Sequence, residues 1–275
     1  MVIIIQCEDR IGLVADIASV LAKSGYNIVT MREHVDLAAN RFFVRVVVDD
    51  IADPQDIEAK LINTLPADAI VKVNPVPDKK IVVLVTKEYH CLSDILTRNH
   101  FKTLGAEIQC VIGNHDDLKN ITERFGIPFY LVSHTDRNKE EFEAELMDII
   151  LQYNPDFLIL AKFMRILSPG FISAFKLKMI NIHHSFLPAF IGANPYAQAF
   201  RRGVKIIGAT AHFVTNDLDE GPIITQTIIS VNHSYSLTDL INAGKENETA
   251  ALTKAMKLVF EDRVIVYNNK TVVFE

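Results

Sequence analysis

The chain has 275 residues, 49% of them hydrophobic and 23% charged, enough to build one large domain or two ordinary ones and remain in solution. A formal net charge of −6 with no lysine/arginine block argues against a nucleic-acid-binding surface, and no apolar run is long enough to span a membrane. The opening MVIIIQCEDR is too short for a signal peptide, and Cys7, Cys91 and Cys110 are widely spaced with no CxxC pair, so the expectation is a cytoplasmic protein with reduced, half-buried thiols. In chain order, VIIIQC is apolar and β-branched and reads as a strand. The DRIG turn, Asp9 to Gly12, then opens a helical stretch with Ile11, Val14, Ile17, Ala18 and Leu21 at helical spacing. Gly25 stands where a glycine would close that helix. NIVTMREHVD and NRFFVRVVVD read as a hairpin about a polar turn, and Asp56 to Leu65 as a second helix. The order βαββαβ over residues 1–75 is the ferredoxin-like plan, whose small open sheet has edges that pairing with a second copy would cover.

The segment DRIGLVADIASVLAKSGYNIV resembles the start of an ACT domain, a small module that binds amino acids at paired interfaces. The resemblance implies a regulatory or oligomerisation role for 1–75 and a homo-oligomer, a dimer or tetramer. It also implies a possible amino-acid effector held by Asp9, Arg10, Ile11 and Gly12, with Asn27 close by. Gly12 suits the close approach of backbone N–H groups to a ligand carboxylate.

NPVPDKK (74–80) carries two prolines and a charge cluster between apolar runs and reads as a linker, with 76–80 as its core. Beyond it, IVVLV, AEIQCVIG, PFYLVS and DFLILA are short apolar runs separated by helical stretches. That alternation predicts a mostly parallel, Rossmann-like sheet covered on both faces over 81–275. A last helix over about Ser236 to Phe260 and the ending VIVYNNKTVVFE complete this second block. Ligands of such sheets collect at the carboxyl ends of the strands. The turn after the first of these strands, TKEYHCLSD, has no glycine and offers no dinucleotide or phosphate cradle. HExxH and GxSxG are absent, and His183 and His184 as strand neighbours would point oppositely, so no metal is expected.

The polar set that remains is Asn181, His183 and Asp219. LKMINIHHSFLP reads as a strand running into a loop stopped by Pro188, so Asn181 and His183 project from one side. An amide can donate to a developing oxyanion, an imidazole can carry a proton near neutral pH, and a carboxylate from LDEGPII completes the set.

NIHHSFLP, GATAHFVTNDLDEGPIITQ and LAKFMRILSP, taken together, resemble the formyltransferase-type domain that uses 10-formyltetrahydrofolate. The resemblance implies catalytic roles for Asn181, His183 and Asp219. It also implies folate contacts from Met164, Arg165, Ile166 and Leu167 and from the loop that holds His212 and Thr215. An ACT-like block joined to this domain, with HHSFLPAFIGANPY, is similar to the formyltetrahydrofolate deformylases. That family hydrolyses 10-formyltetrahydrofolate, as substrate and not as cofactor, to formate and tetrahydrofolate. Glycinamide ribonucleotide transferases instead carry a glycine-rich first loop and a proline after NxH, where this chain has TKEYHCLSD and His184. An amine-dependent formyltransferase and a non-catalytic folate or amino-acid sensor stand as the alternatives.

Overall fold

The computed structural model describes residues 1–49, 53–74, 79–188 and 195–275. The chain divides into two compact units, Met1–Pro77 with Glu261–Glu275, and Asp78–Phe260. The expected linker lies partly outside the described residues, and its last two lysines, Lys79 and Lys80, already belong to a strand.

The first unit begins β1 (Val2–Glu8), α1 (Leu13–Lys23), β2 (Ile28–Asp36), β3 (Arg41–Val48), α2 (Pro54–Thr64) and β4 (Ile70–Asn74), the expected βαββαβ order. Its sheet runs β2-β3-β1-β4, with every neighbouring pair antiparallel. Strand alternation decides the core. Ile3, Ile5 and Cys7 of β1 and Phe42, Val44 and Val46 of β3 face one side, where Leu13, Ile17 and Leu21 of α1 and Ile57 and Leu61 of α2 meet them. Helix α1 starts two residues later than the apolar spacing suggests, because Gly12 at φ 95° holds a left-handed turn. Ile11 is therefore fully exposed and Val14 half-exposed, and the buried stripe is Leu13, Ile17 and Leu21. Gly25 at φ 82° closes the helix as expected, with the Tyr26 N–H donating to the Leu21 carbonyl at 3.0 Å. Asp53 caps α2 by accepting from the N–H groups of Gln55 and Asp56.

The second unit contains β5 (Lys79–Val85), α3 (His90–His100), β6 (Ala106–Gly113), α4 (Lys119–Arg124), β7 (Phe129–Leu131), α5 (Lys139–Tyr153) and β8 (Phe157–Ala161). It continues with α6 (Pro169–Ala174), β9 (Met179–His183), α7 (Pro195–Arg202), β10 (Ile206–Phe213), β11 (Ile223–Ser230) and α8 (Leu237–Phe260). Among the described residues its strands form one sheet in the order β11-β10-β9-β8-β5-β6-β7. From β9 to β7 the pairing is parallel, and β10 and β11 join antiparallel. The central strands are apolar throughout, with Ile81 to Val85 fully buried, as a sheet covered on both faces requires. The chain moves outward from β5 through β6 to β7 and then returns to β8 on the other side of β5. The strand order thus reverses between β5 and β8, and ligand crevices open at such reversals.

The final hairpin, β12 (Val264–Tyr267) and β13 (Lys270–Val273), was expected to complete the second block and instead belongs to the first unit. Ile265 and Phe274 bury Phe43 on the sheet face opposite the helices, with Ile4, Tyr267 and Val272 around them. Arg45, also on that face, donates to the Glu261 and Asp262 carbonyls at 2.9 and 3.0 Å. The three cysteines are free and fully buried rather than half-buried, and burial pushes their thiols up to about 11 for Cys7 and about 12 for Cys91 and Cys110. Because Ile17 is buried and Ile11 is not, Ile17→Ala should cost about 2–5 kcal/mol in urea unfolding, whereas Ile11→Ser should leave the midpoint almost unchanged.

Candidate active site

Asn181 and His183 stand one residue apart at the carboxyl end of β9, whose last residue is His183. The antiparallel neighbour supplies the next group, since Asn181 lies opposite His212 and His183 opposite Thr210 on β10. Asn181 Nδ2 donates to His212 Nε2 at 3.3 Å, while His212 Nδ1 donates to the Phe213 carbonyl at 2.9 Å. Together these contacts fix the His212 tautomer, with the proton on Nδ1. His183 Nδ1 meets Asp219 Oδ2 at 3.3 Å, and Asp219 Oδ1 lies 3.8 Å from His212 Nε2. The three expected catalytic residues therefore come together, and His212, expected only on the folate side, is the fourth member. His183 Nε2 is buried and has no hydrogen-bond partner among the described residues.

Local backbone chemistry delivers Asp219. It sits at φ 59° in the connection from β10 to β11, where the Phe213 N–H donates to the Pro222 carbonyl at 2.9 Å. A Cβ at Gly221 would come within 1.8 Å of the Phe213 carbonyl oxygen, so only glycine lets the turn lie this close to β10. The loop after His183 is clamped as well. The Thr210 hydroxyl donates to the Ser185 carbonyl at 2.8 Å and accepts from the Leu187 N–H at 3.0 Å, and Gln226 Nε2 donates to the Leu187 carbonyl at 3.0 Å. Residues 189–194 of the HHSFLPAFIGANPY stretch lie outside the described residues.

Electrostatics follow from this packing. The hydrogen bond from His183, aided by the His212 and His184 imidazoles, holds the Asp219 carboxyl below the usual range despite partial burial. Burial pushes His212 down, opposed by the Phe213 carbonyl and by Asp219. His184 was expected to point away from its neighbour. The strand ends at His183, so alternation no longer applies, and the two rings stack with centroids 4.9 Å apart. Burial, then the Lys162 ammonium, pushes His184 down to about 4.

The FMRIL loop follows β8. Met164, Arg165 and Ile166 are exposed, whereas Leu167 is buried with Phe163 in the core and holds the loop rather than lining its surface. The Met164 N–H donates to Thr86 Oγ1 at 2.9 Å, and Ser168 gives its N–H and its hydroxyl to the Glu143 carboxylate. Thr215 uses its hydroxyl within its own loop, donating to the Asp217 carbonyl at 3.2 Å.

A second polar cluster escaped the sequence reading. Glu248, on the buried side of α8, accepts from Tyr196 at 2.5 Å and His90 at 2.9 Å and forms an ion pair with Lys162 at 3.1 Å. Burial raises its carboxyl, but the hydrogen bond from His90 and the Lys162 charge outweigh that and bring it to about 2. Lys162 adopts φ 62°, a left-handed conformation costing about 1–2 kcal/mol for a residue other than glycine. His90, Cys91 and Glu248 bring possible metal-ligating atoms within 4.8 Å of one another. The Lys162 ammonium already supplies the cation there, and the Cys91 thiol is pushed far from the thiolate form that binds metals.

In the first unit, Asp9, Arg10 and Gly12 line a cavity of about 560 Å³ together with Val14, Glu33 and Val35. Ile11 is not part of its wall. Asn27, expected close by, instead pairs with Asp49 beside Met1 and Val48, at the opposite end of the sheet from the DRIG turn. Glu33, which the sequence reading passed over, takes its place as a polar wall residue.

Known proteins sharpen the comparison. A model of the formyl transferase family matches residues 79–256, and a model of the ACT domain matches residues 1–63. The chain is 48% identical to the formyltetrahydrofolate deformylase of Escherichia coli K12 over 97% of this chain and 95% of that protein. Its fold superposes on the crystal structure of a formyltetrahydrofolate deformylase from Pseudomonas syringae with a TM-score of 0.93 at 37% identity, covering 100% and 94% of the two chains. The chain belongs to the formyltetrahydrofolate deformylase family. A glycinamide ribonucleotide transformylase from Symbiobacterium toebii is more distant from this deformylase family member, with a TM-score of 0.68 at 28% identity over 72% of this chain and 95% of that one.

Since Asp219 raises the proton affinity of His212 against the effect of burial, Asp219→Asn should make His212 titrate at still lower pH. Imidazole proton shifts followed by NMR across a pH series read this directly, and an unchanged midpoint would place the controlling charge elsewhere.

Proposed function

We propose that the chain hydrolyses 10-formyltetrahydrofolate to formate and tetrahydrofolate, supplying formate for purine synthesis and balancing one-carbon folate pools. The observation that carries this reading is the His183 ring. A carboxylate holds its Nδ1, its buried Nε2 has no partner among the described residues, and an amide stands beside it. Water bonds to the formyl carbon as His183 Nε2 takes its proton. Charge growing on the formyl oxygen is met by the Asn181 Nδ2 hydrogen that His212 does not use. Asp219 keeps the ring in the tautomer with Nε2 open and stabilises the imidazolium that forms. Collapse breaks the bond to N10, His183 returns the proton to that nitrogen, and formate leaves.

In this reading the folate is substrate rather than cofactor, and it lies against Met164, Arg165 and Ile166 and the loop from His212 through Thr215 to Asp219. Residues 81–260 form the catalytic part and no step needs a metal, since the donor cluster at Glu248 is already neutralised by Lys162. No described helix is long and apolar enough to cross a membrane, and we take the cytoplasm as the site of action. Purified protein given 10-formyltetrahydrofolate alone should release formate, and should do so after exhaustive chelation. Asn181→Ala, His183→Ala and Asp219→Ala should each lower turnover by roughly 10²–10³-fold, with the double variants losing much less than the product of the single losses. Strict dependence on an added amine, or near-normal turnover by His183→Ala, would overturn the assignment.

The first unit is proposed to regulate this activity as a homo-oligomer, a dimer or tetramer. Support comes from the edge strands β2 and β4, which expose Val29 and Ile70, and from the cavity at the DRIG turn. There the start of α1 suits a ligand carboxylate, and Asp9 and Glu33 suit an ammonium group, which fits a free amino acid. Some common amino acid should therefore shift turnover or melting temperature, and Gly12→Val should weaken that response while sparing hydrolysis. A screen in which all twenty leave both unchanged would reduce the unit to a scaffold.

A further inference from the structure

The Glu248 cluster joins four separate elements of the second unit: His90 at the start of α3, Lys162 after β8, Tyr196 on α7 and Glu248 on α8. Its neighbours extend it. Glu88 pairs with Lys245 at 2.7 Å, and the same ammonium lies 5.8 Å from the centre of the Tyr89 ring. The turn after β5 is thus stitched to α8 through three consecutive residues, Glu88, Tyr89 and His90. Helix α8 is shaped for this closure, because a Cβ at Gly244 would meet the Tyr196 ring at 2.3 Å. The cluster also borders the catalytic centre. Tyr196 packs against His184 with ring centroids 6.2 Å apart, and His184 stacks on His183. Lys162 is two residues ahead of Met164, whose N–H is tied to Thr86 at the end of β5. The turn after β5 and the loop after β8 flank the strand reversal, where a ligand crevice is expected.

A second substrate needs protein groups with unspent hydrogen-bonding capacity; water does not. Here Glu248 engages Tyr196, His90 and Lys162 at once and Glu88 engages Lys245, which leaves His90 Nδ1 buried without a hydrogen-bond partner among the described residues. Lys162 keeps a left-handed backbone that glycine would adopt freely, so its side chain is what the position retains. We propose that this latch, with Lys162 as its positioning residue, makes water the acceptor of the formyl group by filling the second-substrate side of the site with charges paired to one another. The proposal rests on the hydrolytic reading above. With the latch open, an amine nitrogen bonds to the formyl carbon, the bond to N10 breaks, the amine loses a proton and N10 gains one, so that a formamide replaces formate.

The test supplies 10-formyltetrahydrofolate, with and without hydroxylamine or glycinamide, to the wild-type chain and to Lys162→Gly, Lys162→Arg and Lys245→Ala. Lys162→Gly suits the backbone and should fold. Its kcat for formate release should fall roughly ten- to hundred-fold while KM stays within about two-fold, and a formylated amine should appear that the wild-type chain does not produce. Lys162→Arg should restore most of the hydrolysis. Lys245→Ala, which frees Glu88 at the surface, should give partial amine capture, and it decides the question alone if Lys162→Gly does not fold. Amine capture by either variant supports the latch. Wild-type kcat in both variants, or lost turnover with no formylated amine in either, overturns it. Absence of hydrolysis by the wild-type chain would instead sink the proposed function, a separate and recognisable failure.

Discussion

The register between β9 and β10 places one imidazole opposite an amide and a second imidazole opposite a threonine hydroxyl. Side chains alternate with a period of two, so a slip of one residue would turn Asn181 and His183 to the other face and leave His212 without its hydrogen-bond donor. The same register brings Thr210 under the loop that leaves β9, where its single hydroxyl both donates and accepts. It also sets where β10 ends, and therefore where the tight turn through Gly221 can deliver a carboxylate. The geometry of this polar set depends on a sheet pairing, and the side chains inherit their positions from it.

Much of this was legible in the sequence because it is local. The alternation in MINIH placed Asn181 and His183 on one side, Gly25 marked a helix end, and short apolar runs separated by helices implied a mostly parallel sheet, as found. What was misread depends on long-range pairing or on backbone conformation. Ile11 fits the helical spacing, but the left-handed turn at Gly12 delays the helix and turns Ile11 to solvent. His212 sits in an apolar strand, and only its cross-strand partner shows that it joins Asn181, His183 and Asp219. Asn27 is near the DRIG turn along the chain yet lies at the far end of the sheet. Glu248 and Lys162 look like ordinary charges on a helix and a loop, and their partners are separated by up to 158 positions.

That cluster is costly by ordinary accounting. A carboxylate, an ammonium, an imidazole and a phenol are withdrawn from water, and such groups rarely stabilise a fold more than apolar residues of the same volume would. They do impose one arrangement, because removing any member leaves a buried charge or donor unmatched. Four elements that carry or border the site are thereby locked to one carboxylate, so the centre is held by polar geometry on one side and by sheet register on the other.

The hairpin that covers Phe43 has a consequence for biosynthesis. The first unit is discontinuous, built from residues 1–77 and 261–275 with the second unit between them. During translation the four-stranded sheet emerges first, with Phe43 and Ile4 still open to solvent, and waits for about 180 further residues before its cover arrives. Over that interval a growing chain carries an uncovered apolar sheet face, which is a surface for chaperones or for a neighbouring nascent chain. For the same reason residues 1–75, excised or transplanted alone, would leave Phe43 and Ile4 uncovered unless the closing hairpin were grafted back onto the sheet.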